Sequence, residues 1–312
     1  MTKTLGSTIL ERIGNTPLAR LSKIAADLPG IEILGKVEWA NPGGSVKDRA
    51  ASSIIADAFA RGEIGPKRPG RALLDATSGN TGIAYAMLGA ALDFKVHLCM
   101  PSNVSPERKR LLAGYGAEIV WTDPTESSDG AIRKARELAA ENPEKFFYAD
   151  QYSNDNNWKA HYRGTANEIW EQTEGRLTHF VTGVGTSGTF MGNTRRLKEL
   201  NPKIQCIAMQ PDSPFHGLEG MKHMESAMKP KIWHPEIADR QLEISTEEAY
   251  RNAKKLGRLE GLLVGVSAAA NVTAALHIAK EEVAAGREAV IVTILCDSAD
   301  KYLSERFWDE VQ

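Results

Sequence analysis

Short apolar runs alternate along this chain with longer stretches whose apolar positions recur at helical spacing, and a small glycine- or hydroxyl-bearing loop joins most pairs. Ile31–Val37 (IEILGKV) reads as a strand that leads through Glu38 and Trp39 into the turn NPGGSVK, ending at Lys47. A helical segment over 48–62 follows. The strand 71–76 (RALLDA) stops at TSGNTG, residues 77–82, and the apolar helix 83–92 begins at once. The rhythm continues through 95–100, 106–115 and 117–122, then an amphipathic helix over 129–141 and a strand over 146–150 that delivers Gln151. The polar run 153–157 reads as the domain boundary. Beyond it come a helix over 158–172, a strand at 179–182, the loop 183–189, a helix to about residue 200 and a strand over 204–209. Residues 211–235 have no period and are rich in Gly, His, Met and Lys, as in a mobile loop over a site. Thr246–Glu260 predicts a helix with Ser245 as N-cap, Ser267 opens an Ala-rich helix, and Ala289–Leu295 is a β-branched run suited to burial on both faces. Strand–loop–helix alternation of this kind predicts βαβ units on parallel sheets. The expected fold class is α/β, with a smaller domain over 1–153 and a larger one over 154–312.

Composition narrows the function classes. The 312 residues suffice for one large or two ordinary α/β domains with real cores. A hydrophobic content of 42 % and a formal net charge of −2 suit a soluble globular protein and leave no basic footprint for nucleic acid or an anionic membrane. The cysteines Cys99, Cys206 and Cys296 lack CxxC or Cys/His spacing, so free thiols in a reducing compartment are expected and no metal site is read. No apolar run approaches the roughly 20 residues of a membrane span. A cytoplasmic location is the expectation.

Three loops carry candidate chemistry. In NPGGSVKDR (41–49), Ser45 stands at an N-cap position with Asp48 three residues on, a capping-box pattern that puts Lys47 in the first helical turn. The positive end of a helix dipole disfavours an ammonium there and favours the amine form that attacks an aldehyde. GVGTSG (183–188) fits G-x-G-x-x-G and has, besides that of a structural Gly turn, two readings. One is a dinucleotide fingerprint with Asp212 at the end of the next strand. The other is a phosphate cup made by the backbone N–H groups of 185–189 and the hydroxyls of Thr186, Ser187 and Thr189. The loop alone does not choose between them. TSGNT (77–81) is a nest of hydroxyls and amides at a helix start, suited to a small carboxylate, though such a loop also serves as a plain cap and turn. Taken together, a lysine on a Gly turn, a hydroxyl-rich phosphate cup and a carboxylate nest outline pyridoxal phosphate acting on an amino acid. A dinucleotide enzyme would leave Lys47 and the Thr77 loop without a role.

NPGGSVKDR, ATSGNTGIA, MPSNVSPERKRLLAGYGAEIV, GVGTSGT and LLVGVSAAANVTAAL occur in this order and resemble the cysteine synthases, or O-acetylserine sulfhydrylases. These are fold-type II pyridoxal-phosphate enzymes, related in fold to the tryptophan synthase β chain. The resemblance runs from GNTPL to CDSADKYLS, and the NPGGSVK form of the lysine turn is similar to the B isozymes. It implies two open twisted-sheet domains with the cofactor between them, the first 35 or so residues packing on the larger one. It implies that Lys47 forms the Schiff base with the cofactor and later moves the Cα proton. Asn80 would bond the cofactor's O3′, Gly185, Thr186, Ser187, Gly188 and Thr189 would hold its phosphate, and Ser267 would face the ring nitrogen. Thr77, Ser78, Asn80, Thr81 and Gln151 match the substrate-binding positions. Lys222, in GMKHM, falls near the place where some B-type members meet the phosphate of O-phosphoserine. The implied activity is β-replacement on an activated serine, with sulfide or another sulfur donor giving L-cysteine. The alternatives with the same cofactor are cystathionine β-synthase and serine/threonine dehydratase. A homodimer is implied, and so is docking of the C-terminal tail of a serine acetyltransferase as a second role. The chain departs from the usual Ser-Ser-Gly helix start in having Ala268 and Ala269 after Ser267.

Overall fold

The computed structural model describes residues 7–77 and 79–309. Ser78, one of the carboxylate-nest residues, lies outside the described residues. Strands β1 (Leu18–Arg20) and β2 (Ile31–Val37) precede helix α1 (Lys47–Ala60). Next come β3 (Ala72–Ala76), α2 (Asn80–Leu92), β4 (Val96–Pro101), α3 (Pro106–Gly114), β5 (Glu118–Thr122), α4 (Ser127–Glu141) and β6 (Phe146–Tyr148). Helix α5 (Asp155–Ala160), a π turn at His161–Thr165 and α6 (Ala166–Gln172) run on without a break. They lead to β7 (His179–Gly183), α7 (Gly188–Leu200), β8 (Gln205–Pro211), β9 (Arg240–Ile244), α8 (Thr246–Glu260), α9 (Val266–Ala284) and β10 (Ala289–Leu295).

Two sheets result. One has four parallel strands in the order β5-β4-β3-β6; the other has six, β1-β2-β10-β7-β8-β9. In the larger sheet only the edge pair β1–β2 is antiparallel, and β2 pairs in parallel with β10 from Ala289↔Ile31 to Leu295↔Val37. The first two strands therefore belong to the sheet built by the second half of the chain. Both sheets are covered by apolar helices: α2 packs nine of its residues out of solvent, and α9 buries Val266 through Leu276 without interruption. That is the all-round hydrophobicity expected of helices lying against parallel strands.

Parallel strands send their loops out at one end. β2, β3, β6, β7 and β10 lead to Lys47, Thr77, Gln151, the 184–188 loop and Cys296 respectively, so these groups gather beyond the carboxyl ends of the strands.

The capping box is not formed. Helix α1 begins at Lys47 with Val46 in the N-cap place, and Ser45 Oγ accepts only the Lys47 N–H at 3.2 Å. Ser45 bridges to Asp297, and Val46 N–H donates to the Cys296 carbonyl at 2.9 Å, so the continuation of β10 sets the helix start. Asp48 turns back to the Gly43 N–H at 2.5 Å and closes the Pro-Gly-Gly turn. Under α1, Arg49 reaches Glu38 and Glu168, each at 2.7 Å, and the fully buried Lys36 also contacts Glu168 at 2.7 Å.

Candidate active site

A cleft of about 610 Å³ lies between the two sheets. One wall carries Lys47, Thr77, Asn80, Thr81 and Gln151; the other carries Gly185, Thr186, Ser187, Thr189, Ser267 and Cys296. The irregular segment 211–235 forms the rim and contributes His216, Glu219 and Lys222. Apart from Ser78, every residue to which the family resemblance gives a cofactor or substrate role reaches this cleft or, as Gly188 does, begins the helix beneath it; Asp212 of the dinucleotide reading does not line it.

The nest at the start of α2 is held by its own hydroxyls. Thr77 Oγ1 accepts the N–H groups of Gly79 at 3.1 Å and Gly82 at 3.3 Å, which leaves its proton to donate. Thr81 Oγ1 donates to Gln151 Oε1 at 2.8 Å, and Gln151 Nε2 donates to the Ala76 carbonyl at 2.7 Å. Gln151 N–H donates to the buried Asp75 carboxylate at 3.2 Å; complete burial pushes that carboxyl up to about 7. Asn80 donates its amide to Asp297 Oδ2 at 2.7 Å, and Tyr302 donates to the same oxygen at 2.8 Å.

The 184–188 loop opens the helix α7, and Ser187 holds φ at 70°, a left-handed conformation that turns the chain back over the helix end. A side chain at Gly185 would meet the Gly220 carbonyl oxygen at 2.0 Å, so only glycine allows the rim to close on this loop. Three buried polar atoms of cleft-lining residues, Ser187 Oγ, Asn80 Oδ1 and, nearer the rim, Arg108 Nε, have no hydrogen-bond partner among the described residues. Buried polar groups are normally satisfied. These orphans, with backbone donors at a helix start and an amine opposite, fit a phosphate-bearing aldehyde.

Other groups shape the electrostatics. Burial pushes the Cys296 thiol up to about 11, which favours the protonated thiol over the thiolate. Lys222 is not a solvated loop lysine: it is 5 % exposed, with Nζ 2.8 Å from Asp129 Oδ1 and 3.1 Å from Ser128 Oγ. Burial alone would raise the Asp129 carboxyl, but Lys222, the Met228 N–H and Ser128 together hold it below the ordinary carboxylate range. Arg108, almost wholly buried, pairs with Glu219 of the rim and lies 4.8 Å over the Tyr302 ring. Neither Arg108 nor Asp297 was singled out from the sequence. Asp297 directly follows a strand that feeds the crevice, a position that does carry a signal, whereas Arg108 sits in a helix whose charge pattern reads as surface.

The chain matches the family model "Pyridoxal-phosphate dependent enzyme" over residues 9–297. It is 50 % identical to a cysteine synthase of Aquifex aeolicus over 305 residues, covering 97 % of this chain and 92 % of the relative. It is 40 % identical to cysteine synthase B of Escherichia coli, with 97 % of each covered. The crystal structure of a cysteine synthase from Entamoeba histolytica superposes with a TM-score of 0.90 at 34 % identity, covering 100 % of this chain and 93 % of that one. The chain therefore belongs to the pyridoxal-phosphate-dependent enzymes and, among them, to the cysteine synthase family. The dinucleotide reading of GVGTSG falls with that assignment.

Proposed function

We propose that this protein makes L-cysteine by β-replacement, using an activated serine such as O-acetylserine and sulfide, with pyridoxal phosphate held at Lys47. The observation that carries the reading is the meeting, in one cleft, of a lysine, a carboxylate nest and a hydroxyl-rich cup in a chain 50 % identical to a cysteine synthase. Bound pyridoxal phosphate supplies an electron sink for the substrate's Cα–H and Cβ–O bonds. Lys47 anchors it and moves the proton at the substrate Cα. Thr77, Ser78, Thr81 and Gln151 bind the substrate carboxylate and hold the Cα–H over the lysine. The N–H groups and hydroxyls of Gly185, Thr186, Ser187, Gly188 and Thr189 bind the phosphate, and Asn80 bonds the ring hydroxyl. Ser267 presents a neutral hydroxyl to the ring nitrogen, which keeps the sink weak and favours loss of the β-substituent over a long-lived carbanion.

The smaller sheet, with Gln151 and the Thr77 loop at its strand ends, closes on the substrate as a unit whose C-terminal boundary is residue 153. Lys222 widens the substrate range to O-phosphoserine, exchanging Asp129 for the substrate's phosphate. The assembly is a cytoplasmic homodimer whose cleft also takes the C-terminal tail of a serine acetyltransferase; native mass measurement with and without a tail peptide checks both. Among the described residues no helix is long and apolar enough to cross a membrane.

Product analysis with a panel of second substrates tests the activity. O-acetylserine with sulfide gives cysteine on this reading. Preferential thioether formation with homocysteine, or a 2-oxo acid formed with no sulfur donor, would move the protein to the cystathionine β-synthase or dehydratase class.

A further inference from the structure

Asn157, in the polar run that reads as a linker, connects the two halves of the cleft. Its side chain is 2 % exposed. Nδ2 donates to the Gln151 carbonyl at 2.8 Å and to Thr186 Oγ1 at 3.0 Å. One amide therefore bonds the residue assigned to the substrate carboxylate and the residue assigned to the cofactor phosphate. On the far side of the same amide, a Cβ at Gly188 would lie 1.9 Å from Asn157 Oδ1, so the cup approaches Asn157 as closely as glycine permits.

The polarity of these bonds matters. Thr186 Oγ1 accepts from Asn157 and, at 3.4 Å, from the Gly188 N–H. With two N–H donors on its oxygen, the hydroxyl proton is left free to donate to a third group, and Thr186 lines the cleft. Gln151 is fixed at both ends of its peptide unit, its N–H on Asp75 and its carbonyl on Asn157.

We infer that Asn157 is a positioning residue that links cofactor-phosphate binding to substrate-carboxylate binding. The inference rests on the subsite roles proposed above for Thr186 and Gln151. With Asn157 in place, the Thr186 hydroxyl is presented as a donor to the phosphate, and Gln151 is held where Thr81 and the substrate carboxylate meet it. Without it both subsites loosen together.

The experiment measures the dissociation constant of pyridoxal phosphate from the protein by equilibrium dialysis and KM and kcat for O-acetylserine, in wild type, Asn157→Ala, Thr186→Val, Gln151→Ala and the Asn157→Ala/Thr186→Val pair. Loss of one buried hydrogen bond at each subsite should raise both the cofactor dissociation constant and KM about tenfold in Asn157→Ala, with kcat at saturation changed less than about threefold. In the Thr186→Val background the further effect of Asn157→Ala on cofactor binding should largely vanish, because the two act in one chain. A general loss of packing would instead lower kcat and give additive effects. If Thr186→Val weakens the cofactor and Gln151→Ala raises KM while Asn157→Ala moves only one of the two constants, or neither, the link is overturned. If Thr186→Val and Gln151→Ala leave their own constants unchanged, the subsite assignment fails, whatever Asn157 does. Should the alanine variant not fold, Asn157→Asp keeps the shape, removes the donor and is read the same way.

Discussion

Thr81 shows how a hydroxyl serves the nest before any substrate arrives. Its oxygen is one of the few polar atoms in the cleft with both a fixed donor direction, towards Gln151 at 2.8 Å, and a place at a helix start. A bound carboxylate would take that one proton over from Gln151, so Thr81→Ala removes a hydrogen bond in either state. A bond to a charged group contributes about 1.5–3 kcal/mol, so KM for O-acetylserine should rise roughly ten- to a hundredfold. Unchanged KM with weakened cofactor binding would give the loop to the phosphate instead. Lys222 is a harder case, because its charge is already engaged by Asp129 at 2.8 Å. A lysine point charge can exchange one oxyanion for another. On the proposal above, Lys222→Ala lowers kcat/KM for O-phosphoserine selectively, and equal losses with O-acetylserine and O-phosphoserine would remove Lys222 from substrate recognition.

Helix α1 is anchored from both ends of its first turns. Lys301 Nζ donates to the Gly44 carbonyl at 2.8 Å, while Arg49 is clamped between Glu38 and Glu168. Burial would raise the Glu168 carboxyl, but its bonds to Arg49 and Lys36 pull it down to about 2, against an ordinary value of 4.5. A depressed folded-state value means the ionised form stabilises the fold above about pH 4.5, and that contribution is lost as pH falls towards 2. Glu168→Gln should therefore lower the melting temperature at pH 7 and flatten its fall between pH 4.5 and pH 2; thermal unfolding across that range decides it. A stability curve with the wild-type acid limb would show that the network does not hold α1. Breaking one side of a buried pair costs about 3–5 kcal/mol.

The elements that sequence periodicity located well are those whose burial is one-sided or complete. Ile31–Val37, Thr246–Glu260 with its Ser245 cap, and Ala289–Leu295 stand in the structure at the residues expected. β9 was missed because Arg240-Gln-Leu-Glu-Ile is an edge strand with only Ile244 buried, and so shows no apolar run. Lys47 stands in the first turn of α1 as expected, but the Ser45 cap does not form, because a tertiary contact, the Ser45–Asp297 bridge, overrides the local capping pattern. The same reason hides Asn157 and Arg108: their roles depend on partners far along the chain, Thr186 and Glu219, that no local spacing reveals.

Across the whole molecule, the two sheets send their candidate functional loops to one cleft. The Thr77 and Gln151 loops come from the smaller sheet, and the phosphate cup from the larger. Arg108 of α3 reaches across to Glu219 on the rim, and Lys222 of the rim reaches back to Asp129 of α4, so two ion pairs span the cleft mouth. Closure of the smaller sheet on a bound carboxylate should shrink the particle. Small-angle scattering of the holoenzyme with and without saturating L-serine should show a smaller radius of gyration in the bound form, and an unchanged radius would contradict closure.

All these assignments depend on where the cofactor is attached. Borohydride reduction of the yellow holoenzyme, followed by peptide mapping, should place the pyridoxyl group on Lys47. In Lys47→Ala the same treatment should fix no label, and cysteine formation should fall to near background. A Lys47→Ala protein that still retained a borohydride-fixed label on another lysine, or kept wild-type turnover, would contradict the account.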